Sequence, residues 1–251
     1  ADVASGRVER RDATASTNLD VLERARAGDP GRLWITAERQ LDGRARRGRS
    51  WISEAGNLYA SALLIDPCAP THLPELPFVA ALAAADAIGR HLGPERGLGI
   101  KWPNDVLIAG RKVAGILLET TRTPAGVTAV AVGIGINCRH WPPATETPAT
   151  SLLAEGADVA PERLHLDLVA ALADRLALWD CGEGFAEIRA AWLARAVGLG
   201  RRIRVRLVAG EDEGVFAAID AAGHLILARD DGTRRSISAG DVFVMPAPSE
   251  E

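Results

Sequence analysis

With 251 residues, of which 47% are apolar and 25% charged, the chain is long enough to bury a full core and has the makeup of an ordinary globular protein. A formal net charge of −4 argues against general nucleic-acid binding, and no apolar run approaches the roughly 18–20 residues that a membrane span needs. Residues 1–12 are polar, with no signal-peptide core. The three cysteines, Cys68, Cys138 and Cys181, are odd in number and lack metal-ligand spacing, so reduced thiols and a cytoplasmic location are expected.

Ser16-Thr17-Asn18, with Asp20 three residues after Thr17, opens a helix over residues 19–27, and Gly28 and Pro30 close it. Residues 33–37 and 58–65 read as buried strands, separated by an arginine-rich segment over 39–49. An alanine-rich helix is expected over 77–92, followed by strands at 98–102, 113–119 and 127–136. Residues 159–179 carry Leu164, Leu168, Leu172, Leu176 and Trp179 on one helical face, and Trp192 sits in the next helix. The pattern predicts a sheet flanked by helices, with polar loops gathered on one side.

After residue 201 the texture changes. Arg202 to Val208 alternates strictly, and short β-like runs follow at 214–219, 224–228, 234–237 and 241–245. Ala222-Gly223, Asp231-Gly232 and Ala239-Gly240 mark the turns between them. Closely spaced short strands predict a small β-barrel. The expected organisation is α+β, with one domain over 1–198 and a second over 199–251.

Two lysines stand among 29 basic residues, so 29 − 2 = 27 are arginines. Lys101 opens the string Lys-Trp-Pro-Asn-Asp (101–105), and Lys112 opens Lys-Val-Ala-Gly-Ile-Leu (112–117). Lysine and arginine are not interchangeable where a compact charge on a slim stem must reach a buried oxyanion. Arg39, Arg44, Arg46, Arg47 and Arg49 fall within eleven positions, interleaved with Gly43, Ala45 and Gly48. Guanidinium groups pair with phosphate or carboxylate oxygens, and small residues let the backbone come close. So dense a cluster repels itself when empty, which predicts a loop that is mobile until an anion orders it. A solvated basic loop explains the cluster alone equally well. Trp51 follows, placed to offer a flat face to an adenine-like ring. Asn104 and Asp105 are expected in a turn after Pro103, where a carboxylate suits Mg²⁺ between phosphate oxygens. Trp102 suits core packing and ligand contact equally. Gly133-Ile134-Gly135-Ile136-Asn137 ends a strand with backbone access and an amide tip, although tight strand packing also accounts for a lone Gly-x-Gly.

Taken together these strings resemble the biotin–protein ligases. Residues 43–51 are similar to that family's Gly-Arg-Gly-Arg-Arg-Gly-Arg-x-Trp loop. Residues 101–105 match its Lys-Trp-Pro-Asn-Asp, and 112–117 and 133–137 look like its Lys-x-Ala-Gly-Ile-Leu and Gly-x-Gly-Ile-Asn. The resemblance runs from about residue 14 to 140 and extends to the C-terminal strands. It implies a mixed-sheet catalytic domain flanked by helices and a small SH3-like barrel. It implies two steps: biotin carboxylate and MgATP give biotinyl-5′-AMP and pyrophosphate, and a lysine of a biotin carboxyl carrier domain then displaces AMP. The biotin contacts implied are Ser16, Thr17, Asn18, Gln40, Arg44, Ala45, Arg46 and Lys112. ATP falls to Arg46, Arg49, Trp51, Lys101, Asn104 and Asn137, catalysis to Lys112, Arg46 and Asp105, and Mg²⁺ to Asp105. A homodimer occurs in relatives, and neither nucleic acid nor membrane is expected as a partner. Ala45 departs from the usual glycine, which puts loop closure in doubt, and Asp42 is expected to tether the empty loop. No helix-turn-helix module precedes Ser16, so the likeness is to the shorter, enzyme-only class. The alternatives are a lipoate or octanoyl ligase, a nucleic-acid module built on Arg44–Arg49, and a non-catalytic adaptor.

Overall fold

The computed structural model describes residues 6–143 and 145–245. The outer ends of the two expected domains, residues 1–5 and 246–251, lie outside the described residues. Seven strands form a mixed sheet in the order β1-β2-β3-β7-β6-β5-β4. They are β1 (Arg7–Thr14), β2 (Leu33–Gln40), β3 (Leu58–Ile65), β4 (Leu98–Lys101), β5 (Asp105–Ile108), β6 (Arg111–Arg122) and β7 (Thr128–Ile136). β1 runs parallel to β2, and every other pairing is antiparallel.

Strand alternation divides the sheet into two unlike faces. Leu58, Ala60, Ala62 and Leu64 of β3 join Val130, Val132, Ile134 and Ile136 of β7 in the main apolar cluster. That face is covered by α2 (Leu76–Gly89) and α3 (Pro161–Trp179), and α4 (Phe185–Leu193) packs against both helices and the second sheet. α2 is buried almost all round, and its alanines let it lie closely between the sheet and the other helices. The opposite face presents small residues, among them Ala129, Ala131, Gly133 and Gly135. The ten-residue helix α1 (Thr17–Arg26) covers only part of it, through Val21, Leu22 and Ala25 against Leu33, Ile35, Leu63, Ala129 and Ala131. A helix that stops short leaves the glycine end of this face for a ligand.

Five further strands form an antiparallel sheet in the order β11-β10-β9-β8-β12. They are β8 (Arg202–Leu207), β9 (Gly210–Ile219), β10 (Leu225–Ala228), β11 (Arg234–Ile237) and β12 (Asp241–Val244). Among the described residues β11 and β12 do not pair, so the expected barrel is not closed. Only four Cα steps join these two edge strands, at most roughly 14 Å of extended chain. The sheet must therefore curl until its edges approach, without forming the last ladder. The division expected at residue 198/199 does not interrupt the core. Ile203, Val205, Phe216 and Val242 belong to the same apolar cluster as the helix-covered face. The Trp102 indole donates to the Gly223 carbonyl at 3.2 Å, and Phe78 stands edge-on to Phe185 and Trp192, with centroids 5.7 and 5.4 Å away. Trp102 is thus core and not ligand contact alone.

Two strands escape the sequence reading. β1 carries charges along most of its length and is largely exposed, so it has no apolar period; backbone pairing to β2 makes it a strand. Charged edge strands of this kind also resist pairing with other molecules. β5 is four residues long and begins at Asp105, two residues after Pro103, where turn chemistry dominates the pattern.

Asp86 on α2 receives Arg175 of α3 and Arg195 before β8, each at 2.7 Å. Burial pushes its carboxyl up, but the two guanidinium groups outweigh that and hold it below the usual range. A depressed native pKa adds stability that is full above the unfolded value near 4 and is lost as pH falls from there through the lower native value. Asp86→Asn is expected to cost about 2 kcal/mol at neutral pH and to flatten the acid side of a Tm-against-pH curve. An unchanged acid limb in thermal melts contradicts this role.

Candidate active site

A cavity of about 440 Å³ opens on the glycine face of the large sheet, between the start of α1, the arginine loop, Pro142 with residues 145–149, and the edge of β12. Its floor explains two motifs at once. An added Cβ at Gly115 or Gly135 lies 2.9 or 2.8 Å from the Trp51 ring, so the indole is laid directly on backbone. At Gly133 the same atom falls 2.2 Å from Asn18 Oδ1, so this glycine admits the Asn18 amide. The pairing between β5 and β6 shifts register beside Val113. Val113 and Ala114 both enter the core, and Lys112 and Gly115, three residues apart, share the ligand face. Strict alternation does not allow that; the bulge does.

One end of the cavity is neutral and tightly hydrogen-bonded. Gln40 Oε1 accepts from the Thr17 backbone N–H at 2.9 Å and its hydroxyl at 3.1 Å, while Gln40 Nε2 donates to Ser53 Oγ at 3.0 Å. Ser61 Oγ lies 2.8 Å from Thr17 Oγ1 and 2.7 Å from Asn18 Oδ1. The Asn18 amide donates to the Leu117 carbonyl and to Glu119, so its hydrogen-bonding capacity is spent inside the protein. Ser16 is buried at the N-cap of α1 with no side-chain cap bond.

The other end is ionic. Lys101 and Asp105 face each other as register partners across the β4–β5 hairpin, so the Lys-Trp-Pro-Asn-Asp string is a three-residue turn closed by an ion pair. Their charged atoms are 3.6 Å apart, and Lys112 Nζ lies 2.6 Å from the other Asp105 oxygen. Lys101 also donates to Thr147 at 2.9 Å. Lys112 Nζ stands 5.2 Å from the centre of the Trp51 ring. Arg46 donates to Asn104 Oδ1 at 3.2 Å and to the Gly240 carbonyl at 3.3 Å. Asn104 in turn donates to the Ile116 carbonyl. Burial pushes the Lys101 and Arg46 cations down, and Asp105 counters it for both. For Asp105 burial pushes up, but Lys112 and Lys101 prevail and keep it ionised. Three cations around one carboxylate leave a positive excess suited to an anion.

The arginine loop is docked on the rest of the fold by ion pairs. Arg47 and Arg49 reach Asp241 of β12 at 2.9 and 3.0 Å, and Arg44 reaches Glu119 at 3.1 Å. Carboxylates from elsewhere in the fold relieve the crowding; among the described residues Asp42, the expected tether, makes a backbone bond to Ala15 and no side-chain ion pair. Ala45 is extended (φ −128, ψ 173), a conformation that any residue adopts, so its methyl group does not hinder the loop. Arg47 turns left-handed (φ 59, ψ 33), and Gly48 after it also has a positive φ of 71. Asn137 donates to the Thr150 carbonyl at 3.0 Å and holds the 148–152 segment beside β6. The metal role expected of Asp105 does not fit. Both of its oxygens face ammonium groups. Sequence reasoning missed Ser61, Glu119, Thr147 and Asp241. A serine inside the apolar run 58–65 was a legible signal for the first; Asp241, distant in sequence, had none.

Residues 11–137 match the Biotin/lipoate A/B protein ligase family, and residues 198–245 match the Biotin protein ligase C terminal domain. The chain belongs to this family. It is 46% identical over 239 residues to a biotin–[acetyl-CoA-carboxylase] ligase of Paracoccus denitrificans, covering 92% of this chain and 97% of that one. A Mycobacterium tuberculosis protein of the same name is 36% identical, covering 91% of this chain and 85% of its own length. Among solved structures, the Aquifex aeolicus biotin protein ligase in complex with biotin and ATP superposes with a TM-score of 0.79 at 26% identity, over 96% of this chain and 99% of that one.

Gly135→Ala is expected to lift Trp51 off the floor and weaken nucleotide binding about tenfold, a change of about 1.4 kcal/mol, with the fold intact. Isothermal titration with ATP checks this, and wild-type affinity contradicts the stacking role.

Proposed function

We infer that the chain is a biotin–protein ligase. The observation that carries this reading is the polarity of one cavity, with neutral hydrogen-bonding groups at one end and Lys101, Lys112 and Arg46 around Asp105 at the other. Thr17, Gln40 and Ser16 suit the uncharged ureido ring, and the glycine and leucine surface between the two ends suits the thiophene ring and its tail. The cationic end receives the valeryl carboxylate and the α-phosphate.

In the first step a carboxylate oxygen attacks the α-phosphorus, the α–β anhydride bond breaks, and pyrophosphate leaves. Two anions must meet, so positive charge placed in advance is the main catalytic need. Lys112 neutralises both as one point charge, with Asp105 aiming it. Mg²⁺ carried by the nucleotide would supply further positive charge at the phosphates. In the second step a deprotonated lysine amine attacks the biotinyl carbonyl, the acyl–phosphate bond breaks, and AMP leaves. Asp105, held ionised by two ammonium groups, is a poor proton acceptor; its role is orientation. Arg46, bridging the loop to Asn104 and Gly240, closes the cavity over the adenylate.

The acceptor on this reading is the carrier domain of acetyl-CoA carboxylase, the substrate in the names of both relatives, and the setting is the cytoplasm, in keeping with three free thiols. Among the described residues no helix is long and apolar enough to cross a membrane. The lipoate alternative stays within the family but finds no use for the arginine loop.

Biotin-dependent ATP–pyrophosphate exchange tests the reading. Lys112→Arg keeps the charge and is expected to slow exchange by about 100-fold or more. Near-normal exchange contradicts the point-charge role. Arg46→Gly is expected to release free biotinyl-5′-AMP, measured by mass spectrometry. With both lysines inside the site, the leaked adenylate labels an added bystander protein in preference to the enzyme. No rise in free adenylate contradicts the sealing role.

A further inference from the structure

Glu119 belongs neither to the apolar floor nor to the ionic end, yet it joins two parts of the site. It lies on the ligand face of β6, two residues beyond Leu117, opposite Ala131 of β7, a neighbour with no polar side chain. Its Oε2 accepts from Asn18 Nδ2 at 2.9 Å, and its Oε1 faces Arg44 Nη1 at 3.1 Å. Asn18 is fixed in the pocket wall by Ser61 and by the open space at Gly133. Arg44 begins the arginine loop and bridges to Ser50, so whatever holds Arg44 also sets the path of Ala45 and Arg46. Asp241 ties the tip of this loop to the second sheet, and Glu119 ties its first limb to the first sheet.

We propose that Glu119 is a positioning residue for biotin recognition, locking the start of the arginine loop to the pocket wall through one contact per carboxylate oxygen. The inference rests on the biotin reading of this cavity. Both partners are donors, so two acceptors are needed. A glutamine offers one acceptor and turns an N–H toward the other donor. The pairing also changes the role of Arg44: its guanidinium, turned to Glu119, shapes the loop and is not free to grip the biotin carboxylate, which falls to Lys112 and Arg46.

The test compares wild type, Glu119→Gln, Arg44→Gln and the double variant of the whole chain, by calorimetry with biotin and by trypsin cleavage within residues 44–49 followed by mass spectrometry. Each single change is expected to raise the Kd for biotin about tenfold, the scale of one charge-assisted contact, and to speed cleavage of the loop. The KM for ATP in pyrophosphate exchange should rise several-fold less than the Kd for biotin, and the double variant should be no worse than either single one. Wild-type biotin affinity and cleavage rate in Glu119→Gln overturn the proposal, as do additive effects in the double variant or an equal rise in the KM for ATP. Should Glu119→Gln fail to fold, Arg44→Gln, on the more exposed partner, carries the same comparison. Failure of the wild type to bind biotin overturns the reading of the cavity itself; a wild type that binds biotin beside an unaffected variant overturns only the role of Glu119.

Discussion

Lys101 and Lys112 approach one another only because Asp105 stands between them, 3.6 and 2.6 Å from their ammonium nitrogens. At about 4 Å and an effective dielectric near 20, like charges repel by about 4 kcal/mol, comparable with a large share of a domain's net stability. The carboxylate turns that repulsion into a prepared cluster with a remaining positive charge. The hairpin register that pairs Lys101 with Asp105 and the bulge that returns Lys112 to the same face are the backbone devices that make the cluster possible. The core on the far side of the sheet keeps both devices rigid.

The same economy appears in the glycines. Small residues on one face of β6 and β7 let Trp51 and Asn18 lie against backbone, and the short helix α1 leaves that surface uncovered. The second sheet then closes the site from above, through Asp241 on the arginine loop and Gly240 on Arg46. Its apolar side continues the core of the first sheet, so the loop is held by an element that cannot swing freely.

Much of this was legible in the sequence. The strands over 58–65 and 234–237 coincide with β3 and β11, and the helices fall within a few residues of their observed ends. Lysines at two positions in an arginine-rich chain, each heading an unusual string, pointed to the ionic end. What stayed hidden depends on tertiary pairing. β1 has no apolar period because one neighbour and solvent define it. The Asn104-Asp105 step reads as a turn, whereas Asp105 is the first residue of a strand paired with Lys101. The arginine loop looked self-repelling because Glu119 and Asp241, which neutralise it, lie about 70 and 190 positions away in the chain. The small barrel was read correctly in its strands and not in its closure.

A crystal structure of the chain with biotinyl-5′-AMP tests the central claim most directly. The account predicts the ureido ring beside Thr17 and Gln40, and Lys112 Nζ at hydrogen-bonding distance, about 2.8–3.0 Å, from both the acyl and the phosphate oxygens. An adenylate bound with Lys112 turned away, or with the phosphate outside the reach of Lys101 and Arg46, contradicts it.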